Sequence, residues 1–73
     1  MNIYLLPYCA DGDVYIHQVQ ATDYDDARNR FVELFNDEFC FSDEGIHDWD
    51  SMLRWMADQN ILVGDVYDLE EFK

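Results

Sequence analysis

Basic residues, proline, glycine and cysteine are what this chain has least of: four Lys and Arg, one Pro, three Gly and two Cys in 73 residues. Four bases against 17 acids exclude a phosphate backbone or an anionic lipid surface as direct partner, because neither gains anything from a field of carboxylates. So little glycine and proline leaves no flexible linker and no Gly-rich phosphate loop. Cys9 and Cys40 form no C-x-x-C pair, and Cys9, His17, Cys40 and His47 match no zinc-ligand spacing, so free thiols and no metal are expected. Neither Asp11-Gly12-Asp13 nor Asp48-Trp49-Asp50 runs on into a calcium-binding loop. No apolar stretch approaches the length of a bilayer span, and the opening MNIYLLPYCADGD lacks the basic start of a secretory leader. An intracellular, cytoplasmic chain is expected.

Catalysis is not indicated either. Adjacent carboxylates such as Asp43 and Glu44 do acid–base chemistry only when buried and differently tuned, and their polar surroundings point to solvent. Cys40 with His47 lacks the signature of an activated nucleophile. A non-enzymatic chain without cofactor is the expectation.

What the chain does have is 49% hydrophobic residues beside a formal charge of -13, and enough apolar surface to fold despite that charge. Five Phe, five Tyr and two Trp supply large buried areas at small conformational cost, which a single domain of this length needs.

The segment Thr22 to Phe41 organises the rest. Asp23 is a helix N-cap, and Asp25 and Asp26 place negative charge at the positive end of the helix dipole. Tyr24, Ala27, Phe31, Leu34 and Phe35 follow at three- and four-residue spacing as the expected buried face. Asp26, Arg30, Glu33 and Asp37 line the solvent side, with Arg30 placed to neutralise Asp26 and Glu33. The helix is expected to end between Asn36 and Phe39.

Before it, Asn2–Ala10 and Val14–Ala21 flank Asp11-Gly12, a strong hairpin signal. With those two as the loop, Tyr8 faces Tyr15, Leu6 faces His17 and Tyr4 faces Val19, while Leu5, Cys9, Val14 and Ile16 share the other side. Both sides are partly apolar, so the sequence leaves open which one meets the helix. Pro7, lacking an N–H, suggests a strand edge or a local bulge. After the helix, Phe39 and Phe41 are spaced to alternate inward as a short strand, and Gly45 marks a turn. A second helix begins at the N-cap Asp48 and runs to about Asn60, with Trp49, Met52, Leu53 and Met56 on its buried face. Trp55 falls beside that face and is either an exposed contact or covered by the C-terminal strand or a loop. Ile61–Tyr67, interrupted by Gly64, reads as a third strand, and Phe72 either anchors the acidic tail or frays with it. The expected architecture is a single α+β domain spanning 1–73, roughly ββααβ, with two helices on a small antiparallel sheet.

The charge is uneven. Residues 1–36 carry six acids and two bases, whereas 37–73 carry eleven and two. Arg54 is spaced to balance Asp50 and Asp58. Nine carboxylates have no local base and form the candidate partner-binding surface: Asp37, Glu38, Asp43, Glu44 and Asp48 in the connection, then Asp65, Asp68, Glu70 and Glu71 near the end. Crowding like charges costs stability, so a chain that retains them either lives in high salt or uses the field, and use is the expectation. A rigid body bearing such carboxylates approximates the phosphate spacing of a nucleic-acid strand, about 3.4 Å per residue in a duplex.

This combination of small size, acidic surface and runs such as NDEFCFSDEGIHDWD resembles the phage- and plasmid-borne DNA-mimic inhibitors of host defence, including anti-CRISPR and antirestriction proteins. The resemblance rests on composition and charge placement across the whole chain and transfers no residue role. It implies a basic nucleic-acid-binding protein as partner, such as a CRISPR effector or restriction complex, and inhibition by stoichiometric occlusion. The alternative is an interaction module or regulatory subunit that meets its partner, or itself as a homodimer, through an aromatic surface including Trp55.

Overall fold

The computed structural model describes residues 1–72, with the Phe72 side chain, expected either to anchor the tail or to fray, outside what is described. Strands β1 (Asn2–Ala10) and β2 (Asp13–Ala21) form the hairpin in the expected register, with Tyr4 opposite Val19, Leu6 opposite His17 and Tyr8 opposite Tyr15. Asp11 and Gly12 both take positive φ, 55° and 83°, the geometry of the two-residue turn whose twist matches the strands.

Helix α1 (Tyr24–Phe39) follows, then a 3-10 turn (Phe41–Glu44) and helix α2 (Trp49–Asp58). Strands β3 (Leu62–Val63) and β4 (Tyr67–Asp68) then both pair antiparallel with β1, on the side away from β2. A second 3-10 turn (Leu69–Phe72) completes the described chain. The expected α+β ββααβ order is the order observed, with the last strand divided in two.

The division explains Pro7. The proline lies in the central strand and not at an edge. In a two-residue hairpin the closing pair, Ala10 and Asp13, is hydrogen bonded, and such pairs recur at alternate positions, so the Pro7 nitrogen points away from β2. On that side β3 ends at Val63 and β4 begins at Tyr67, so no ladder donor is demanded of Pro7. Gly64 crosses there instead, its N–H donating to the Pro7 carbonyl at 2.9 Å. A Cβ on Gly64 would lie 3.0 Å from the Pro7 ring and 3.2 Å from its carbonyl oxygen, a tight approach that any larger residue could make only if Pro7 shifted by a few tenths of an ångström.

The helices cover the sheet face that carries Tyr4, Leu6 and Tyr8. The core joins these to Ala21, Ala27, Phe31, Val32, Phe35, Phe41, Met52, Met56 and Ile61. Tyr8 meets Phe35 edge-on at 5.0 Å between ring centroids, and Tyr4 meets Tyr24 likewise at 5.1 Å. In α1 the buried arc differs from expectation: Val32 is buried and Leu34 lies at the surface. Val32 continues the stripe of Asp25 and Asn29, which faces the start of α2, and Leu34 is left at the rim.

The expected Phe39–Phe41 strand does not form. Phe39 continues the stripe four residues beyond Phe35, and Cys40 then takes the left-handed conformation (φ 56°) that stops α1, its N–H donating to Asn36 O at 2.7 Å. Phe41 turns into the core and is fully buried.

Candidate interaction surface

The carboxylates are placed by local hydrogen bonding at the ends of the two helices. At the start of α1, Asp23 Oδ1 accepts from the Asp26 N–H at 2.8 Å, and Asp26 reaches back to accept from the Thr22 N–H at 3.0 Å, a reciprocal cap. Arg30 Nε donates to the same Asp26 carboxylate at 3.1 Å, the pairing expected from the sequence. The Thr22 N–H, and then Arg30, hold the Asp26 carboxyl below the usual carboxylate range. Next to it the Tyr24 hydroxyl donates to Glu71 Oε1 at 2.9 Å, a bond that raises the phenol above its ordinary value.

At the other end of α1, His17 Nε2 and Glu38 Oε2 are 3.2 Å apart. Burial, then the Glu38 carboxylate, raises the neighbouring Tyr8 hydroxyl. The Ser42 N–H donates to Asn36 Oδ1 at 2.8 Å, which ties the 3-10 turn to α1. Trp55 is half-buried against this turn: its ring meets Phe41 at 5.4 Å and Phe39 at 6.0 Å, and its indole N–H donates to Glu44. The connection therefore covers Trp55, and its polar edge is already occupied.

Asp48 caps α2, accepting from the Ser51 N–H at 3.2 Å. The Ser51 hydroxyl and then its N–H keep the Asp48 carboxyl below the usual range. Asp48 also lines, with Asp25, Arg28, Asn29, Trp49 and Asp50, an open hollow of about 600 Å³ between the helices. Its one base, Arg28, is paired with Asp25 at 3.3 Å.

The nine expected carboxylates are thus distributed and not joined in one patch. Asp37, Glu38, Asp43 and Glu44 gather where α1 passes into the 3-10 turn. Asp68 and Glu71 lie beside Tyr24 at the opposite end, about 20 Å away at 1.5 Å of rise per residue. Asp48 sits in the hollow, Asp65 follows the Gly64 crossing, and Glu70 lies in the last turn, its N–H bonded to Asp68 Oδ1 at 3.0 Å. Among the described residues, Glu70 apart, none of these carboxylates forms an ion pair with an Arg. Arg54, expected to balance Asp50 and Asp58, makes no ion pair among the described residues; its charge is felt at Asp48. Asp25 and Asp50 join the acidic hollow without having been singled out. Their signal in the sequence was spent on helix capping and on pairing with Arg54.

A second feature lies on the opposite side of the molecule. The sheet face turned away from the helices carries Ile3, Leu5, Pro7, Cys9, Val14, Ile16, Leu62 and Tyr67, with the exposed amides Gln18 and Gln20 along the later half of β2, and no charged side chain points from it in any of the four strands. Val14, Ile16 and Leu62 are 73%, 64% and 70% exposed. Carboxylates and bare apolar surface are therefore segregated onto different sides. No helix among the described residues is long and apolar enough to cross a membrane, and no cluster of His, Cys, Asp and Glu among them is arranged to hold a metal ion. In comparisons with known proteins the chain matches no family model, no curated protein and no solved structure.

Proposed function

We propose that this protein is a non-catalytic inhibitor whose acidic helical side occupies the basic nucleic-acid-binding groove of another protein. One observation carries the reading: of the four carboxylates where α1 meets the 3-10 turn none is ion-paired with Arg, and two of them, Glu38 and Glu44, are held by contacts within the fold. Glu44 is fixed by the indole of Trp55, Glu38 faces His17, and the turn bearing Asp43 is tied to Asn36. Fixed carboxylates have lost their rotational freedom before binding, so a row of Lys and Arg side chains meets them at lower entropic cost. Steering by the net charge of -13 makes association fast and salt-sensitive. A CRISPR effector or restriction complex of the host, each with a basic channel for nucleic acid, is the kind of partner this chemistry suits. In this reading Trp55 is scaffold that positions Glu44 and makes no contact of its own.

The test is capture from host lysate at low and moderate salt with the native chain and with the combined variant Asp37→Asn, Glu38→Gln, Asp43→Asn, Glu44→Gln. Recovery of a nucleic-acid-binding complex by the native chain alone, lost as salt rises, supports the proposal. Equal recovery by both chains removes these four carboxylates from the interface.

A further inference from the structure

Strand β2 is the outer strand of the sheet, with β1 on one side and a free edge on the other. Because hydrogen-bonded pairs recur at alternate positions from the closing pair, Tyr15, His17, Val19 and Ala21 direct their N–H and C=O groups to β1. Those of Val14, Ile16, Gln18 and Gln20 point outward. All four residues are exposed, and no hydrogen bond among the described residues reaches these backbone groups. An edge of nine residues in unbroken register, without Pro, Lys or a bulge, lacks the devices that ordinarily prevent strand addition. Its donors and acceptors repeat every two residues, about 6.8 Å, a spacing matched by another extended backbone.

Helix α1 adds side chains to this edge. It crosses the sheet over β2, while α2 approaches β3 on the far side of β1. The stripe of Asp25 and Asn29 faces α2, so the opposite stripe, Leu34 and Glu38, lies toward the free edge. Tyr24 at the start of α1 meets Tyr4, and Phe35 near its end meets Tyr8, so α1 runs antiparallel to β2. The contact of Glu38 Oε2 with His17 Nε2 then fixes the overlay, with Glu38 above His17. One helical turn back is about 6.0 Å and two strand residues span about 6.6 Å, which sets Leu34 toward Val19. Leu34 is 36% exposed and Val19 is half-buried, so this end of the overhang is apolar and uncovered, and the Glu38 end is acidic.

We propose that the β2 edge receives an extended basic segment of a partner protein as an added antiparallel strand, with an apolar residue followed two positions later by Lys or Arg on its inward side. The apolar residue lies opposite Val19 beneath Leu34, and the basic one opposite His17 beside Glu38. Antiparallel addition sets that order. Charge complementarity selects this occupant: Asp11 and Asp13 at the hairpin end add to the field of Glu38, and the net charge of -13 draws a basic strand. A second copy is disfavoured, because Val14–Ala21 contains no Lys or Arg to answer Glu38 and two such chains repel. The proposal shares Glu38 with the inhibitory role but needs no nucleic-acid groove, so either can fail without the other.

Titration of the isotope-labelled chain with a synthetic peptide, acetyl-Thr-Lys-Thr-Thr-Val-Thr-Arg-Thr-Lys-amide, tests it, with backbone amide chemical shifts as the readout. The expected result is saturable shifts centred on Val14 to Gln20. With Val opposite Val19 and Arg opposite His17, the N–H of the peptide's sixth residue faces Gln18 and that of its fifth faces solvent. N-methylation of the sixth residue therefore weakens binding by about tenfold or more, the loss of a paired hydrogen bond, and N-methylation of the fifth leaves it unchanged. Exchanging the Val and the Arg, at equal charge, also weakens it. Gln18→Pro keeps the circular dichroism of the native chain, because the Gln18 N–H makes no bond to β1, and it abolishes the shifts. Absence of saturable shifts, or binding that ignores both the N-methyl position and Gln18→Pro, overturns the proposal. So does concentration-dependent exchange protection of the Gln18 and Gln20 amides in the free chain, which would place a second copy at this edge.

Discussion

Changing the salt concentration is the perturbation to which this fold should respond most. With a radius of gyration of 12.1 Å, charges spread over the molecule are separated by roughly 17 Å, the root-mean-square pair distance of such a body. Two unit charges at roughly 17 Å in water repel by roughly 0.24 kcal/mol before screening. Screening leaves about 0.14 kcal/mol at 10 mM salt and about 0.03 kcal/mol at 150 mM. For a net charge of -13 the folded state then carries on the order of 11 kcal/mol of self-repulsion at low salt and about 2 kcal/mol at physiological salt. An unfolded chain of this length, about twice as expanded, retains only about 3 kcal/mol and almost none in the two conditions. The difference stabilises the fold by on the order of 6 kcal/mol between 10 and 150 mM, against a total stability of about 4 to 11 kcal/mol for this length.

Urea is the denaturant to use, since it adds no ions, and the fluorescence of Trp49 and Trp55 is the probe. The urea midpoint should climb steeply with NaCl while the slope m stays constant. The four-amide variant, with a formal charge of -9 after the loss of four acids from -13, should show about half the salt dependence, because repulsion follows the number of charge pairs. A midpoint that does not move between 10 and 150 mM would mean that the carboxylates are compensated locally, and the reasoning would fail.

Other perturbations address single contacts. Phe41→Ala empties a fully buried ring site beneath Trp55 and should cost about 3 to 5 kcal/mol, enough to unfold much of the population at low salt, read by circular dichroism. Cys40→Gly relieves a left-handed residue at the end of α1 and should stabilise by about 1 kcal/mol in the same urea titration. Gly64→Ala should destabilise, since its Cβ would press on the Pro7 ring and on a backbone oxygen that is already hydrogen bonded, and a stabilising effect there would contradict the described crossing. Asp26 and Asp48 have carboxyls held below their unfolded value. Their contribution is therefore complete above about pH 4, the unfolded value, and is lost as pH falls through the lower folded value; Asp26→Asn with Asp48→Asn should flatten that acid limb. Tyr24 works in the opposite sense: its raised phenol contributes fully below about pH 10 and loses that contribution as pH rises through the folded value, a loss Tyr24→Phe should remove.

Local chemistry made much of the architecture legible. Asp11-Gly12 specified the turn, and through it every cross-strand pair of the hairpin. Asp23 and Asp48 specified where both helices begin. What sequence periodicity left undecided was relative position. Whether Val32 or Leu34 is covered depends on the side from which α2 approaches, which the α1 stripe alone does not carry. Phe39 and Phe41 alternate as a strand would, but their alternation is produced by a helix end followed by a left-handed residue and a 3-10 turn. The nine carboxylates, grouped by their lack of a local base, are separate in space, because the chain places the last of them at the start of α1 and the first at its end. The apolar outer face was present in the register, in Leu5, Cys9, Val14 and Ile16. It became a surface feature only when the helices took the Tyr4, Leu6 and Tyr8 side.

The central claim is that fixed carboxylates stand in for a nucleic-acid strand, and competition tests it most directly. The partner recovered by capture is loaded with its own labelled nucleic acid, and the purified chain is titrated in at low and moderate salt while the bound label is followed. Stoichiometric release, weakened by salt and lost with the four-amide variant, is the result the account requires. A complex that holds nucleic acid and this protein together, with no label released, would contradict it.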